Sequence, residues 1–258
     1  MRWNFICAGQ SNMSGRGALP APAFPNAGRV WTYTNAGTWQ NPATEPVDAS
    51  AGQIDQVSDD EALVGPCVAF GDRLAELTPG VEIGLVPCAK GGYTMDQWRR
   101  DWRRTALYGS MLTRAREASV TGPVKGLLWW QGESEAMGGS GYTYWAHRFC
   151  EFIASVRQDL NLPDLPVIFA QLSREPNTAP WTSWGGMQAQ QAQVFDPRGK
   201  IQMITTSDLT PQDLQFNGMF WTCGPHLVTA SYVTAGRRFA DAMHSLLEEI
   251  DQWAAPNH

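Results

Sequence analysis

Five short apolar runs constrain the fold of this chain more than any other feature of its sequence. Each run is almost continuously apolar rather than alternating, which is typical of strands buried on both faces of a parallel sheet. The runs are Trp3–Ala8, Val81–Pro87, Val124–Trp130, Pro166–Gln171 and Lys200–Thr205. The pattern therefore predicts a central, mostly parallel five-stranded sheet.

Stretches with apolar residues at helical spacing separate these runs. They span residues 63–77, 107–118, 142–160, 179–195 and 227–253. Strands that alternate with helices predict an α/β fold, a three-layer α/β/α sandwich of the doubly wound type with right-handed crossovers. The length of 258 residues fits one such domain.

The stretch from about residue 14 to 60 interrupts this alternation. It is rich in Pro, Gly, Asn and Trp, and within it Val30–Thr34 and Gly37–Gln40 have the composition of two strands that pair as a hairpin. We interpret it as an inserted loop or hairpin region over the functional site, inside a single domain that covers residues 1–258.

Composition and charge argue against several classes of function. The net charge of −6 disfavours a nucleic-acid-binding surface, and no apolar run reaches the ~18 residues of a membrane span. The five cysteines are scattered and form no CxxC pair, so neither a disulfide framework nor a zinc site is predicted. Met1 leads almost directly into the first run, so we expect no signal peptide in this chain. Either the protein is synthesised without an export signal, or the signal has been removed.

Polar, glycine-containing turns follow three of the apolar runs. They are Gly9–Met13, Cys88–Gly92 and Gln131–Ser134. Because the carboxyl ends of parallel strands meet at one edge of an open α/β sheet, we expect these three turns to converge. That edge is therefore the predicted functional site.

The turns contain the parts that acyl transfer requires. Ser11 follows a strand and has the position of a nucleophile, although a serine there also suits the cap of a following turn. Gly91 and Gly92 let the backbone approach a ligand, so one of their N–H groups is a candidate donor to an oxyanion. The side-chain amide of Gln131 is a second candidate donor. The competing interpretations are that Gly91 and Gly92 only form a tight turn, and that Gln131 is an ordinary loop residue.

His226 is the candidate general base. Chemistry near neutral pH calls for a histidine, and the chain has four. His226 lies at a predicted junction between a loop and the last helix, from which it can reach the sheet edge. The other three lie within helices or at the carboxyl terminus.

The block Gly9–Met13 followed by Ser14–Gly17 resembles the SGNH hydrolase superfamily, which has a flavodoxin-like fold. More narrowly, the chain is similar to carbohydrate esterase family 6, which includes acetylxylan esterases, and to the sialate O-acetylesterase-like proteins. The further matching blocks, in chain order, are Ile83–Gly92, Leu128–Ser134 and His226–Leu227. Together these blocks span nearly the whole chain.

The resemblance implies a serine esterase. Ser11 would attack the ester carbonyl, and His226 would take its proton. The Ser11 N–H, a Gly91 or Gly92 N–H and the Gln131 side chain would hold the oxyanion. The family works without a metal or an organic cofactor, and its substrates are acetylated carbohydrates such as acetylated xylan or sialic acids. An esterase or thioesterase of other specificity, and a sugar-binding protein without turnover, remain the alternatives.

The acid that would orient the base is the one departure from the family pattern. Members of the family often place Asp three residues before the histidine, where this chain has Cys223. Glu133 is the first candidate for that role, because it lies at the same sheet edge. Asp208 and Asp213 are alternatives, and a pair of Ser11 and His226 without an acid is a third possibility.

Tryptophan is unusually frequent, with 12 residues, and several lie in loop-like stretches. Flat aromatic faces suit the apolar faces of sugar rings, but the same side chains also suit the packing of loops onto a domain. The two interpretations carry equal weight. The candidates for substrate contact are Trp31, Trp39, Trp181, Trp184 and Trp221.

Overall fold

A seven-stranded sheet forms the centre of the molecule. The computed structural model describes residues 1–47, 59, 61–176, 180–216, 219–221 and 223–254, with only the backbone described at 214–216, 219–221 and 251–254. The strands of the sheet are β1 (Arg2–Gly9), β2 (Val30–Tyr33), β3 (Trp39–Gln40), β4 (Glu82–Ala89), β5 (Val124–Trp130), β6 (Val167–Ala170) and β7 (Ile201–Ile204). Their order is β3-β2-β4-β1-β5-β6-β7, and only β3 runs antiparallel to its neighbour.

This architecture confirms the predicted three-layer α/β fold with a mostly parallel sheet, but the predicted count of five strands is wrong. The two additional strands, β2 and β3, are the stretches expected to pair as a hairpin, and they do pair. They also extend the main sheet, because β2 lies parallel to β4. Val30, Thr32 and Tyr33 are buried there, so this part of the inserted region is a sheet edge rather than a cover over the site.

In the described ranges, seven helices surround the sheet. They are α1 (Ser11–Ser14), α2 (Cys67–Leu77), α3 (Leu107–Ser119), α4 (Glu133–Ala136), α5 (Trp145–Asp159), α6 (Trp184–Gln191) and α7 (Thr229–Ala254). Two single 3₁₀ turns, Ala27–Arg29 and Met95–Trp98, and a separate antiparallel pair, β8 (Leu214–Phe216) and β9 (Met219–Trp221), complete the described elements.

Two hydrophobic cores lie on opposite faces of the sheet. Phe5 and Cys7 of β1 belong to the core that α2 and α7 cover. Ile6 and Ala8, their neighbours, belong to the core that α3, α5 and α6 cover. Successive side chains of a strand point to opposite faces, so burial on both faces requires the continuous apolar run that the sequence contains.

The register of β1 with its neighbours places three loops side by side. Gly9, the last residue of β1, is level with Ala89 at the end of β4 and with Trp130 at the end of β5. Gly9 has a φ of 131°, and a Cβ at this position would lie 2.1 Å from the Trp130 carbonyl oxygen. Only glycine fits such a close backbone approach, and the next residues begin α1.

Candidate active site

Ser11 and His226 meet at the carboxyl edge of the sheet. Ser11 is the first residue of α1, and His226 lies in the loop that leads into α7. The Ser11 Oγ is 2.9 Å from the His226 Nε2, although the two residues are 215 positions apart in the sequence. A hydroxyl within hydrogen-bond distance of an imidazole nitrogen is the arrangement that nucleophile activation requires.

Burial keeps the imidazole of His226 neutral. Desolvation is the main cause that lowers the pKa of His226 to about 4, and the positive charge of Arg16 acts in the same direction. The negative charge of Asp59 raises the pKa and opposes part of this effect. At neutral pH the ring therefore carries a free lone pair, and its Nε2 can accept the Ser11 proton.

A cavity of about 270 Å³ opens over this pair. It contains Ser11 and His226 together with residues from the turns that follow β1, β4 and β5, as the sequence analysis expected of these turns. Its other lining residues are Gln10, Arg16, Glu61, Gly91, Gly92, Glu133, Ser134, Met137, Trp181 and Pro225. The volume suits part of a sugar ring or a small ester rather than a long acyl chain.

The backbone amides around the nucleophile are used unequally. The Gly91 N–H donates to the Asp59 Oδ2 at 3.0 Å. Among the hydrogen bonds of the described residues, neither the Ser11 N–H nor the Gly92 N–H is a donor. A Cβ on Gly91 would lie 3.6 Å from the Ser11 Cβ, so this backbone runs beside the nucleophile. The Ser11 and Gly92 amides are therefore the donors still available to an oxyanion.

Gln131 is not brought into this cavity. Its side chain is fully buried, its Oε1 accepts the Trp145 Nε1–H at 2.7 Å, and its Nε2 donates to Glu135 and to the Tyr93 carbonyl. Both amide hydrogens are thus engaged inside the protein. The buried carboxylate of Glu135, which the sequence analysis did not single out, accounts for the difference. A role for Gln131 at the oxyanion stays a prediction.

Glu133 lies at the site but does not hydrogen-bond the histidine. Its Oε1 accepts a hydrogen bond from the Asn12 Nδ2. Burial is the main cause that raises the pKa of Glu133 to about 7, the nearby charge of Glu135 adds to it, and the Asn12 hydrogen bond opposes it. Glu133 is therefore linked to the loop of His226 through Asn12, whose Nδ2 also donates to the Pro225 carbonyl.

The two alternative acids are engaged elsewhere. Asp208 forms an ion pair with Arg238 of α7, with contacts of 2.7 and 2.5 Å, and these bonds are the main cause that lowers the pKa of Asp208 to about 2. Asp213 Oδ1 accepts the Cys223 N–H at 3.2 Å. Within the part of the chain that the structure describes, no carboxylate hydrogen-bonds the His226 ring, so the orienting acid stays a prediction.

An ion pair that the sequence analysis missed braces the loop after the nucleophile. The Asp59 Oδ2 accepts hydrogen bonds from the Ser14 Oγ at 2.7 Å and from the Arg16 guanidinium at 2.9 Å. Asp59 is 45 positions from Ser14, in a stretch with no periodic pattern, so no sequence signal pointed to it. Its carboxylate joins the turn after β1 to the turn after β4.

The five tryptophan candidates have different positions. Trp181 lines the cavity. Trp184 is fully buried and its Nε1 donates to the Ser173 carbonyl at 2.9 Å. Trp31 and Trp39 flank the guanidinium of Arg2 at 4.1 and 4.5 Å. The side chain of Trp221 lies outside the described residues.

The proposal of substrate contact is therefore wrong for three of these residues. Trp184 packs in the core because its ring fills the space between α6 and the sheet. Trp31 and Trp39 lie at the amino end of β1, which rises about 3.3 Å per residue, so they are roughly 20 Å from Ser11. Composition alone does not distinguish a tryptophan that braces one end of a sheet from one that lines a site at the other end.

Neither a metal-ligating cluster nor a membrane-spanning helix occurs in the described residues. Within them, no group of three or more His, Cys, Asp or Glu side chains is arranged to hold a metal ion. The same described ranges contain no helix that is both long enough and apolar enough to cross a membrane.

We expect Glu133→Gln to change how stability depends on pH. Burial raises the pKa of Glu133 from 4.5 to about 7 in the folded protein, so the folded state keeps a proton that the unfolded chain releases. The unfolding free energy therefore falls as the pH rises through this window. The variant does not titrate and should lack this loss, which is up to about 3 kcal/mol.

Urea unfolding of both proteins at about pH 5 and about pH 8 measures the effect of Glu133→Gln. The variant should gain stability relative to the unsubstituted protein at the higher pH. The same difference at both pH values would contradict the raised pKa.

Comparison with known proteins identifies the family. The family described as carbohydrate esterase, sialic acid-specific acetylesterase matches residues 2–245. A probable carbohydrate esterase of Arabidopsis thaliana is 33% identical over 184 residues, which are 64% of this chain and 66% of that protein. This match thus spans slightly less than two thirds of the relative's own length.

Solved structures share the fold. The crystal structure of the Arabidopsis thaliana protein has a TM-score of 0.74 and 26% identity, and the match covers 94% of this chain and 98% of that one. NanS has a TM-score of 0.65 and 17% identity, with 96% and 98% covered. A carbohydrate acetylesterase from Xanthomonas citri has a TM-score of 0.63 and 18% identity, with 95% and 56% covered.

The last two structures establish similarity of fold alone, because their identity to this chain is low. The family assignment depends on the match over residues 2–245, which is nearly the whole chain. The chain therefore belongs to the carbohydrate esterase family of sialic acid-specific acetylesterases, a family of carboxylic ester hydrolases.

Proposed function

We propose that this protein is a serine esterase that removes O-acetyl groups from neutral carbohydrates such as acetylated xylan. The observation that carries the proposal is the 2.9 Å contact between the Ser11 Oγ and the His226 Nε2 inside an open cavity. Family membership supports ester hydrolysis on carbohydrates. The specificity for neutral sugars depends on the charges of the cavity.

The geometry supports a two-step reaction. His226 Nε2 takes the proton of the Ser11 hydroxyl while its Oγ attacks the acetyl carbonyl carbon. The oxyanion of the tetrahedral intermediate accepts hydrogen bonds from the Ser11 and Gly92 amides. The intermediate then collapses: the bond to the sugar oxygen breaks, His226 returns the proton to that oxygen, and acetyl-Ser11 remains.

Water completes the cycle by the same route. His226 takes a proton from a water molecule, whose oxygen attacks the carbonyl carbon of acetyl-Ser11. The second tetrahedral intermediate collapses with the proton returning from His226 to the Ser11 Oγ, and acetic acid leaves. Each step uses the low pKa of His226, because a ring that is neutral at rest is ready to accept a proton.

The charges that line the cavity favour a neutral sugar. Arg16 is the single lysine or arginine among the described lining residues, and its guanidinium is already bound to Asp59 at 2.9 Å and to Glu61 at 3.4 Å. Glu61 also lines the cavity, and Asp59 lies beside Arg16. A sugar carboxylate entering here would meet acidic groups and a cation that is already neutralised.

Trp181 supplies the apolar part of the proposed binding surface. It lines the cavity and lies in the loop that precedes α6. An indole ring offers a flat apolar face, which suits the face of a pyranose ring. Of the tryptophans considered from the sequence, it is the one whose described position agrees with substrate contact.

Ser11→Ala should abolish ester hydrolysis. Removal of the nucleophilic oxygen should lower kcat on 4-nitrophenyl acetate by at least about 10³-fold. Ser245→Ala is the matched control, because the Ser245 hydroxyl bonds only within α7, and it should retain full activity. Circular dichroism and the thermal midpoint would verify that both variants fold. Turnover by a folded Ser11→Ala variant at the unsubstituted rate would refute the nucleophile.

The pH profile should reflect the lowered pKa of His226. Only the neutral ring acts as a base, so kcat/KM should hold as the pH falls past 6 and decline with a midpoint near 4. Arg16→Gln removes a charge that lowers this pKa, and the midpoint should move upward. A midpoint in the unsubstituted enzyme at the ordinary histidine value of about 6.5 would contradict the effect of burial.

A substrate panel tests the proposed specificity. Acetate release from acetylated xylan should exceed release from O-acetylated sialic acid by at least about tenfold in kcat/KM, which corresponds to about 1.4 kcal/mol. Glu61→Gln should raise activity on the acidic sugar and leave activity on xylan unchanged, because Glu61 is exposed at the rim. A preference for the acetylated sialic acid would overturn the proposal of a neutral substrate.

A further inference from the structure

Both chain neighbours of His226 are tied to one side chain, that of Asn12. The Asn12 Nδ2 donates to the carbonyl of Pro225 at 2.9 Å. The Tyr232 hydroxyl donates to the Asn12 Oδ1 at 2.6 Å and accepts the N–H of Leu227 at 3.3 Å. Pro225 and Leu227 immediately precede and follow His226, so the peptide units on both sides of the base are held through Asn12.

The donors and acceptors of this network allow only one orientation of the Asn12 amide. The Leu227 N–H can only donate, so the single hydrogen of the Tyr232 hydroxyl is left for the Asn12 Oδ1. The Asn12 Nδ2 must then face acceptors. It does so at two places, the Pro225 carbonyl and the Glu133 Oε1. Every polar group of the amide is thereby used.

The network is excluded from water. Asn12 is 1% exposed, Tyr232 is fully buried and Glu133 is 4% exposed. Hydrogen bonds inside a dry environment are stronger than those in water, and a buried polar group left without a partner is costly. Asn12 therefore has one strongly favoured position, and because it follows Ser11 directly, that position is fixed relative to the nucleophile.

We propose that Asn12 is a positioning residue for His226 and that it replaces, through the backbone, the orientation that a carboxylate on the ring would provide. The proposal rests on the proposed function, in which His226 is the base. Cys223 stands where an acid is often found in related proteins, and within the described residues no carboxylate bonds the ring. Asn12 instead joins the α1 helix of the nucleophile to the loop of the base.

The loop of His226 has one further restraint that does not involve Asn12. The Gln212 N–H donates to the His226 carbonyl at 2.8 Å, which restrains one further point of the loop. The charged groups that face the site are Arg16, Asp59, Glu61 and Glu133. Tyr232→Phe leaves the hydrogen bond between Asn12 and Glu133 in place, whereas Asn12→Ala also removes this bond, which stabilises the Glu133 carboxylate. A shift that both variants share therefore reports the positioning of the loop rather than the charge of Glu133.

Asn12→Ala and Tyr232→Phe test the proposal. Each should lower kcat on 4-nitrophenyl acetate by at least about tenfold while KM changes by less than about twofold, because misplacement of the base affects the chemical step. Tyr232→Phe keeps the aromatic ring and removes only the hydroxyl, so it provides a test if Asn12→Ala does not fold.

The titration of the His226 ring, followed by NMR, is a measurement that a purely structural role would not change. Its signal is assigned by its loss in His226→Gln. In both Asn12→Ala and Tyr232→Phe the midpoint should rise toward the ordinary value of about 6.5, because a ring that is no longer held in place gains access to water.

Asn4→Ala is the matched control. Asn4 is a buried asparagine in β1 whose Nδ2 also bridges two carbonyls, those of Ala118 and Gly122, at 3.0 and 2.7 Å. It lies at the opposite end of the strand from Ser11. Its replacement should lower the thermal midpoint but leave kcat and the His226 titration unchanged.

Two results separate this inference from the proposed function. Folded Asn12→Ala or Tyr232→Phe proteins with kcat within twofold and an unchanged His226 titration would overturn the role of Asn12. If the unsubstituted protein released no acetate from any ester, while the His226 titration shifted in the variants as expected, the proposed function would fail and the positioning by Asn12 would stand.

Discussion

The parallel register of β1 between β4 and β5 is the constraint on which the rest of the structure depends. Burial of β1 on both faces fixes that register, because a slip by one residue would move Phe5 and Cys7 into the opposite core. The three strand ends are therefore level at Gly9, and the turns that follow them emerge together. The candidate site is a consequence of how the strands pack.

Burial shifts the pKa values of His226 and Glu133 in opposite directions. It favours the neutral form of His226, which is the form a general base needs, and it also favours the neutral form of Glu133. The Asn12 hydrogen bond counters the second effect by stabilising the carboxylate. The same dry environment thus sets the basicity of the imidazole and makes the hydrogen-bond network beside it strong.

The fold was predictable from the sequence because continuous apolar runs have few competing interpretations. β2 and β3 were not predicted as part of the sheet, since four-residue and two-residue strands carry too little periodic signal. The closeness of Ser11 and His226 followed from strand order and chain position. The hydrogen bonds of Gln131 and the distant partner Asp59 depend on side-chain geometry across long sequence separations. No local pattern of residue types encodes such contacts.

The two outermost strands of the sheet have a consequence for self-association. An edge strand exposes unpaired N–H and C=O groups that can template strand addition from another molecule. β3 has only two residues and β7 only four, so each edge presents a very short row of such groups. The long central strands, which would be the strongest templates for fibrous aggregation, are each paired on both sides. The short edge strands therefore disfavour edge-to-edge pairing of this sheet with a second copy.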